Sequence, residues 1–338
     1  MKTSVVEFKE QLKTALIDLA WRQWTQLGVG GLEPGKVNYI LDPEALLVFS
    51  AYIGRFDQRL FDEIIDWLHI NARFINIQRL RVMSKKAEFN NQAVLGLMAA
   101  YLKKGDASLK WRKIATDFKP SNTPEPQPLF RLSNGQPMPV VGTKDETALQ
   151  YGFKRNIYRQ TDNSSEFPLD TAATMLLQLR GIFGVNARSE ATLILLTQDT
   201  CTIQNIADAS GFSWRSIQDV LFEMNRSNLI DSTGAKRGRY YYLRDRKASL
   251  NLFCPSLLEE VPFPNWIGFY NAMIMILNTI EAPNIEKLSE QGVKSVLQEL
   301  FNNKIGSTLL NSGITLFKFV NIDNAGQLPF LIKNLFET

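Results

Sequence analysis

Apolar residues recur at intervals of three and four along most of the first 118 residues, which is the period of amphipathic helices. The intervals predict helices over residues 12–24, 45–53, 60–69, 74–83 and 93–102. Asp42 and Pro43 stand where an N-cap and a first helical residue are expected for the second of these helices. Residues 1–118 are therefore predicted to form a helical N-terminal domain.

The next segment, residues 119–168, has a different composition. Six prolines lie between positions 120 and 139, and they exclude an ordinary helix or a central strand there. Residues 151–159 could form an extended strand, and residues 162–165 carry a turn or loop signal. We expect a linker or an arm that wraps over the surface.

Residues 169–250 contain a characteristic order of elements. The pattern predicts a helix over 187–198, a short helix over 202–209 with Thr202 as a possible N-cap, and a third helix over 214–227 that Ser213 can cap. Gly211 suits the tight turn between the last two helices, where Phe212 can plug the core. Short strands are predicted at 229–231 and 240–243. Two helices, a turn and a third helix are the order of a helix-turn-helix.

The third helix carries the candidate DNA contacts. Its apolar residues recur at three and four and should face the other two helices, whereas the opposite face is polar. Such side chains can hydrogen-bond base edges in the major groove. The candidates on this helix are Ser213, Trp214, Arg215, Ser216 and Gln218, of which Arg215 and Gln218 are the best.

A basic loop separates the two predicted strands. Residues 232–239 hold two glycines and three cations, which suits a wing that neutralises phosphates, and Arg244, Arg246 and Lys247 extend its charge. Asp219 and Glu223 on the third helix oppose that charge. The candidates for backbone contact are Lys236, Arg237, Arg239 and Arg244.

Residues 187–247 resemble the winged helix-turn-helix domain of bacterial transcriptional regulators. The resemblance covers about 60 of 338 residues and rests on the order of the elements. It implies that helix 214–227 enters the major groove and that loop 233–239 touches the DNA backbone or the minor groove. The expected fold class is mainly α with a small β wing, in which a winged helix-turn-helix domain is flanked by helical domains.

The C-terminal segment, residues 251–338, is acidic, since residues 256–338 hold five basic and eight acidic residues. An apolar helix is predicted over 266–280, an amphipathic helix over 285–301 and a strand over 314–319. We expect an α+β unit that packs on the rest of the chain or forms a dimer. Most prokaryotic operators are palindromic because the proteins that bind them are two-fold dimers, so a homodimer is predicted.

The residue composition argues against several kinds of catalytic, cofactor and metal site. A single histidine, His69, removes mechanisms that need two, and it is expected to be structural. Cys201 and Cys254 lie far apart, so neither a disulfide framework nor a zinc site is expected. The glycine cluster 28–31 is not followed by a phosphate-binding motif. We therefore expect no catalysis, cofactor or metal, and the lack of a signal peptide or a sufficiently long apolar run predicts a cytoplasmic location with no membrane contact.

On this basis the sequence predicts a sequence-specific regulator of transcription, autoregulatory or repressing, that binds double-stranded DNA. The alternative is a non-catalytic adaptor or antitoxin-like subunit that binds a partner protein through its helical domains. The cations Arg73, Arg79, Arg81, Lys85 and Lys86 are expected to form a solvated helix face. Alternatively, residues 44–86 could form a second DNA-binding unit with these cations, and Asp62 with Asp66 could hold magnesium for a nuclease.

Overall fold

A computed structural model describes most of the chain, and it is mainly helical with two small sheets. The described residues are 5–31, 39–89, 92–102, 107–121, 125–169, 171–234, 238–253, 255, 261–318, 320–321, 323 and 325–336. Within them, none of the helices combines the length and the hydrophobicity that a membrane span requires.

The first half of the chain holds these elements in order: α1 (Val5–Gln26), α2 (Pro43–Ile53), α3 (Gln58–Asn71), α4 (Ile77–Lys86), α5 (Gln92–Tyr101), α6 (Ala107–Asp117), β1 (Gln127–Pro128), α7 (Glu146–Leu149) and β2 (Phe153–Lys154). The second half holds α8 (Met175–Phe183), α9 (Ala187–Thr197), α10 (Ile203–Ser210), α11 (Trp214–Arg226), β3 (Ile230–Thr233), β4 (Tyr240–Leu243), α12 (Arg246–Phe253), α13 (Trp266–Glu281), α14 (Glu290–Leu300), α15 (Gly306–Leu310) and α16 (Leu328–Lys333).

Local capping chemistry decides where the N-terminal helices begin. Asp42 caps α2, as predicted, and its side chain accepts from the backbone N–H of Ala45 at 3.0 Å. The helix predicted from residue 74 begins instead at Ile77, because Asn76 caps it and the preceding turn is of the 3₁₀ type. A cap residue satisfies backbone donors that would otherwise lack partners. It can therefore shift the start of a helix by several residues from the limit that the apolar pattern predicts.

The largest hydrophobic core is shared between the two ends of the chain. Helix α13, the buried helix expected there, packs against α1, α2, α14 and α15, and apolar residues of α3 and α5 belong to the same core. The ring of Tyr270 in α13 stacks on that of Phe49 in α2 with centroids 4.3 Å apart, and its hydroxyl donates to Gln23 at 2.7 Å. Residues near the C-terminus, including Leu328 and Ile332, belong to the same core.

Residues 125–169 pack along this helical core. Leu129 and Phe130 are buried in it, and Arg155 is almost completely buried against α3. The parallel pair β1 and β2 is two residues long, much shorter than the extended segment considered for 151–159. The prolines therefore lie in an irregular segment that packs through its own apolar residues.

For the C-terminal segment, one prediction is wrong and another is confirmed with different limits. The strand expected at 314–319 is a 3₁₀ turn over Thr315–Phe317 that buries Ile314 and Phe317. An apolar pair three residues apart lies on one side of such a turn, so the run did not require a strand. The helix expected over 285–301 begins at Glu290, where Ser289 caps it, and continues through a π-helical turn, Phe301–Ile305, into α15.

A second hydrophobic core organises residues 175–250, which we call the small unit. Helices α8, α9, α10 and α11 surround it together with β3 and β4, and Leu193, Ile206, Ile217 and Leu221 are fully buried in it. The strands β3 and β4 are antiparallel, with Ile230 opposite Leu243. From α9 to β4 the order of elements is the one predicted from the sequence, whereas α8 and α12 were not predicted.

A buried cluster of charges joins the small unit to the helical core. Arg180 of α8 donates to both carboxylate oxygens of Glu44, at 2.6 and 2.9 Å, and its Nε donates to Glu190 at 3.0 Å. Arg79 of α4 donates to Asp42 and to Glu44, the latter at 2.7 Å. All five side chains are buried, and two guanidiniums face three carboxylates.

The unequal charge count predicts a pH dependence of stability. Burial raises the pKa of Glu190 despite the attraction of Arg180, whereas Glu44, also buried, is held below its ordinary pKa by Arg180 and Arg79. A carboxyl whose pKa is raised by folding stabilises the protein while it is protonated and loses that contribution as the pH rises through its folded-state pKa. We expect Glu190→Gln to gain stability relative to the parent as pH rises above 4.5. Urea unfolding of both proteins across this range measures the difference, and a difference that is independent of pH would contradict the expectation.

Candidate nucleic-acid interface

The turn between α10 and α11 is built from residues with strong local preferences. Thr202 and Asn205 form a capping box at the start of α10, so the predicted cap is confirmed. Gly211 ends this helix in the left-handed conformation, with φ of 75°, which a residue with a side chain adopts only with strain. Ser213 then caps α11 by accepting from the N–H of Ser216 at 3.1 Å. These interactions set the relative direction of the two helices.

Helix α11 has one buried face and one exposed face. Ile217, Leu221 and Met224 are buried in the second core, as predicted from their spacing, and Val220 is half-buried beside it. Trp214, Arg215, Gln218 and the other exposed residues lie on the opposite side of the helix. The small unit therefore presents a polar helix face that also carries aromatic rings.

Backbone pairing fixes β3 and β4 next to the start of α10. The N–H of Cys201 donates to the carbonyl of Tyr241 at 2.9 Å, and the N–H of Tyr241 donates to Cys201 at 2.8 Å. Cys201, directly before the cap residue Thr202, therefore pairs with the middle of β4. This places the end of the loop from β3 to β4, Gly238 and Arg239, beside the first turn of α10.

A cleft with a volume of about 530 Å³ lies between the first turns of α10 and α11 and the end of this loop. Three of the predicted residues, Trp214, Gln218 and Arg239, line it. The other residues in its wall are Thr202, Ile203, Gln204, Gly238 and Tyr241. The cleft is open to solvent and combines one cation, two amide side chains and two aromatic rings.

The remaining predicted residues differ in what they can offer a ligand. Arg215 is exposed and makes no ion pair within the described part of the chain. Ser213 and Ser216 are committed to the helix cap, with their hydroxyl oxygens 2.8 Å apart. Arg244 is exposed and lies 3.5 Å from the carboxylate of Asp231. Lys236 and Arg237 lie outside the described residues.

The acidic residues of α11 repel an anionic ligand less than the sequence indicates. Glu223 pairs with Arg188 of α9, so its charge is compensated at the surface. Asp219 is exposed and can accept from the amino group of cytosine in a DNA groove. Arg246, counted with the basic loop from the sequence, instead pairs with Asp199, and its Nε donates to the carbonyl of Leu196 at 2.9 Å.

The cleft contains residues that sequence reasoning did not select. Thr202 and Gln204 were known only as the start of a helix, and no local signal placed that helix beside the loop from β3 to β4. The pairing of Cys201 with Tyr241 joins segments 40 residues apart in the sequence, and a single sequence shows no such pairing. Arg188 was missed for the same reason, because its partner Glu223 is 35 residues away.

The basic cluster between residues 73 and 86 is the expected solvated face only in part, because Arg73, Lys85 and Lys86 are exposed but Arg79 is not. Arg79 is buried against Asp42 and Glu44, and Arg81 pairs with Asp117 of α6. One of the five cations is therefore buried in the fold and a second is paired at the surface, which weakens the hypothesis of a second DNA-binding unit over 44–86.

The two aspartates considered for magnesium hold the segment 125–169 instead. Asp62 accepts from Arg155 at 2.8 Å, and Asp66 accepts from the backbone N–H of Thr161 at 2.7 Å and from the hydroxyl of Tyr158. Within the described residues no group of three or more acidic, histidine or cysteine side chains is placed to hold a metal ion. His69 stacks on Tyr158, and burial lowers the pKa of its imidazole.

The cleft and the outer face of α11 are the surface on which the candidate residues come together. Arg215, Gln218 and Arg239 are exposed there, and Trp214 adds a ring that is about half exposed. Comparison of the chain with models of known protein families, with curated proteins and with solved structures found no match in any of the three.

Proposed function

We propose that this chain is a sequence-specific DNA-binding regulator of transcription that places α11 in the major groove. The observation that carries the proposal is the cleft where Trp214, Gln218 and Arg239 meet, next to the exposed Arg215. Arginine and glutamine form bidentate hydrogen bonds with guanine and adenine, respectively, in the major groove. Arg239 and Arg244 lie where the basic loop would meet phosphates.

The proposal includes the winged helix-turn-helix architecture and its consequences. In that architecture the short α10 crosses the DNA backbone while α11 contacts base edges, and the loop from β3 to β4 is the wing. A homodimer on a palindromic site, with half-sites about one helical turn apart, follows from the two-fold symmetry of such complexes. A cytoplasmic location is part of the same proposal.

Binding of the purified full chain to DNA from upstream of its own gene tests the proposal. We expect a complex that survives excess competitor DNA and weakens steeply as salt is raised, because neutralised phosphates release counterions. A complex that competitor abolishes at low salt would contradict sequence-specific binding. If no complex forms while a partner protein co-purifies, the adaptor function replaces the proposed one.

Replacement of two arginines separates base contacts from phosphate contacts. We expect Arg215→Ala to weaken binding to the specific fragment about tenfold or more, since a bidentate contact discriminates bases by about 1–3 kcal/mol. Arg239→Ala should weaken binding to all sequences alike and lower the slope of log affinity against log salt by about 1.

Arg159→Ala is the matched control for both variants, because Arg159 is exposed and lies outside the small unit. Its affinity for DNA should equal that of the parent. Equal losses for Arg159→Ala and Arg215→Ala would assign the effect to net charge and contradict a contact made by α11. Fluorescence anisotropy at two salt concentrations provides each affinity.

A further inference from the structure

Phe222 is the most exposed apolar side chain of α11, with 62% of its surface accessible, compared with 47% for Trp214. It lies two helical turns beyond Trp214 and one turn beyond Gln218. The guanidinium carbon of Arg226 is 5.8 Å from the centre of its ring. The ring lies outside the second hydrophobic core, so most of its surface is accessible to a ligand.

The position of Phe222 around the helix axis can be derived from the helical repeat. Successive residues of an α-helix are about 100° apart, so Trp214, Gln218 and Phe222 lie roughly 40° apart from one to the next. On the other side of Phe222 from Gln218, Arg215 and Asp219 follow at roughly 20° and 60°. The buried residues Ile217, Leu221 and Met224 cluster on the opposite side. Phe222 therefore lies near the centre of the face that the proposed function directs at DNA.

This inference rests on the proposed function, and it concerns which bases are recognised. We propose that Phe222 contacts the 5-methyl group of thymine and makes the protein select a T·A pair at the position it faces. The methyl group of thymine is the apolar feature of the major-groove edge, where the other groups are hydrogen-bond donors and acceptors. An exposed phenyl ring offers no hydrogen bond, so among the bases it is complementary to thymine.

The surroundings of the ring favour DNA over a protein partner. Gln218, Asp219 and Arg226 surround Phe222 on the exposed face. The centre of a protein interface is depleted of charged residues, whereas an interface with DNA is polar and basic. The face also continues into the cleft that holds Arg239. A contact between copies of the chain is thus the competing explanation that the test must separate.

Exchange of thymine for uracil tests the methyl contact directly. The specific fragment is amplified with either thymidine or deoxyuridine triphosphate, which removes the methyl groups and keeps the base pairing. The ratio of the two affinities is measured for the parent, Phe222→Ala, Phe222→Leu and the control Leu252→Ala. Leu252 is 73% exposed on α12, and it controls for loss of an exposed apolar side chain.

We expect the parent to bind the uracil fragment about fourfold more weakly for each methyl group lost from the contact, since burying one methylene-sized group changes affinity by that factor. Phe222→Ala should lower this ratio by the same factor, Phe222→Leu should retain part of it, and Leu252→Ala should leave it unchanged. Circular dichroism should show native helix content in every variant because both side chains are exposed.

Three results would overturn the proposal. The first is an affinity ratio between the thymine and uracil fragments that is the same in Phe222→Ala as in the parent, while the parent binds DNA specifically. That result would leave the proposed function intact. The second is dissociation of an oligomer by Phe222→Ala in sedimentation, which assigns the ring to an interface between copies. The third is the absence of specific DNA binding by the parent, which removes the proposed function and this inference together.

Discussion

Replacing Arg180 with alanine should lower the free energy of unfolding by about 3–5 kcal/mol, the cost of removing one partner from a buried ion pair. Arg180 donates to Glu44 and Glu190 and also to the carbonyl of Phe74 at 2.8 Å. Without it, Arg79 alone would face three buried carboxylates. Urea unfolding followed by circular dichroism measures the change.

Two controls separate this effect from a general loss of charge. Arg188→Ala removes an arginine from an exposed pair with Glu223 and should cost at most about 1 kcal/mol. Glu190→Gln should also change the free energy of unfolding only slightly, because it leaves two carboxylates facing two guanidiniums. If Arg180→Ala costs no more than Arg188→Ala, the cluster is not what joins the small unit to the helical core.

Replacing Arg155 with alanine should lower the free energy of unfolding by about 3 kcal/mol and release residues 125–169 from the helical core. The guanidinium carbon lies 5.2–5.8 Å from four aromatic ring centres, which belong to Phe61, Tyr101, Phe130 and Tyr158. Burial already raises the pKa of Asp62, and Arg155 opposes that rise. Its loss leaves a carboxyl without a cation and a cavity among the rings.

Urea unfolding measures the stability, and limited proteolysis of the native protein tests whether the segment is released. Arg159→Ala is the matched control because Arg159 is exposed in the same segment, and surface substitutions of this kind change stability by about 0.5 kcal/mol or less. Cleavage within 125–169 should be faster in Arg155→Ala alone. Equal stability and equal cleavage in the two variants would show that the segment is held by its apolar residues and not by Arg155.

The three buried arginines of the structure illustrate a limit of sequence-based prediction. In a sequence, Arg79, Arg155 and Arg180 look like any other cations, and Arg79 was assigned to a solvated face. Apart from Glu190, which is ten residues from Arg180, their carboxylate partners lie from 35 to 136 residues away along the chain. A charge can be buried only where such partners converge, so its burial is a property of the tertiary structure.

The small unit was predicted better because its boundaries rest on local chemistry. Thr202, Gly211 and Ser213 each act on backbone groups within four residues, and the three helices begin and end close to their predicted limits. The spacing of Ile217, Leu221 and Met224 already identified the buried face of α11, and hence its exposed face. The strand expected at 314–319 failed because a short apolar run fits a strand and a 3₁₀ turn equally well.

The sequence by itself determined the predominance of helix, the order of elements in residues 187–243 and the outward face of α11, because caps, turns and apolar periodicity act over a few residues. Only the tertiary structure decided that the C-terminal helices complete the N-terminal core, that the start of α10 and the loop after β3 share one cleft, and which cations remain free for a ligand. Those features depend on contacts between distant residues, and such contacts leave no local pattern in a single chain.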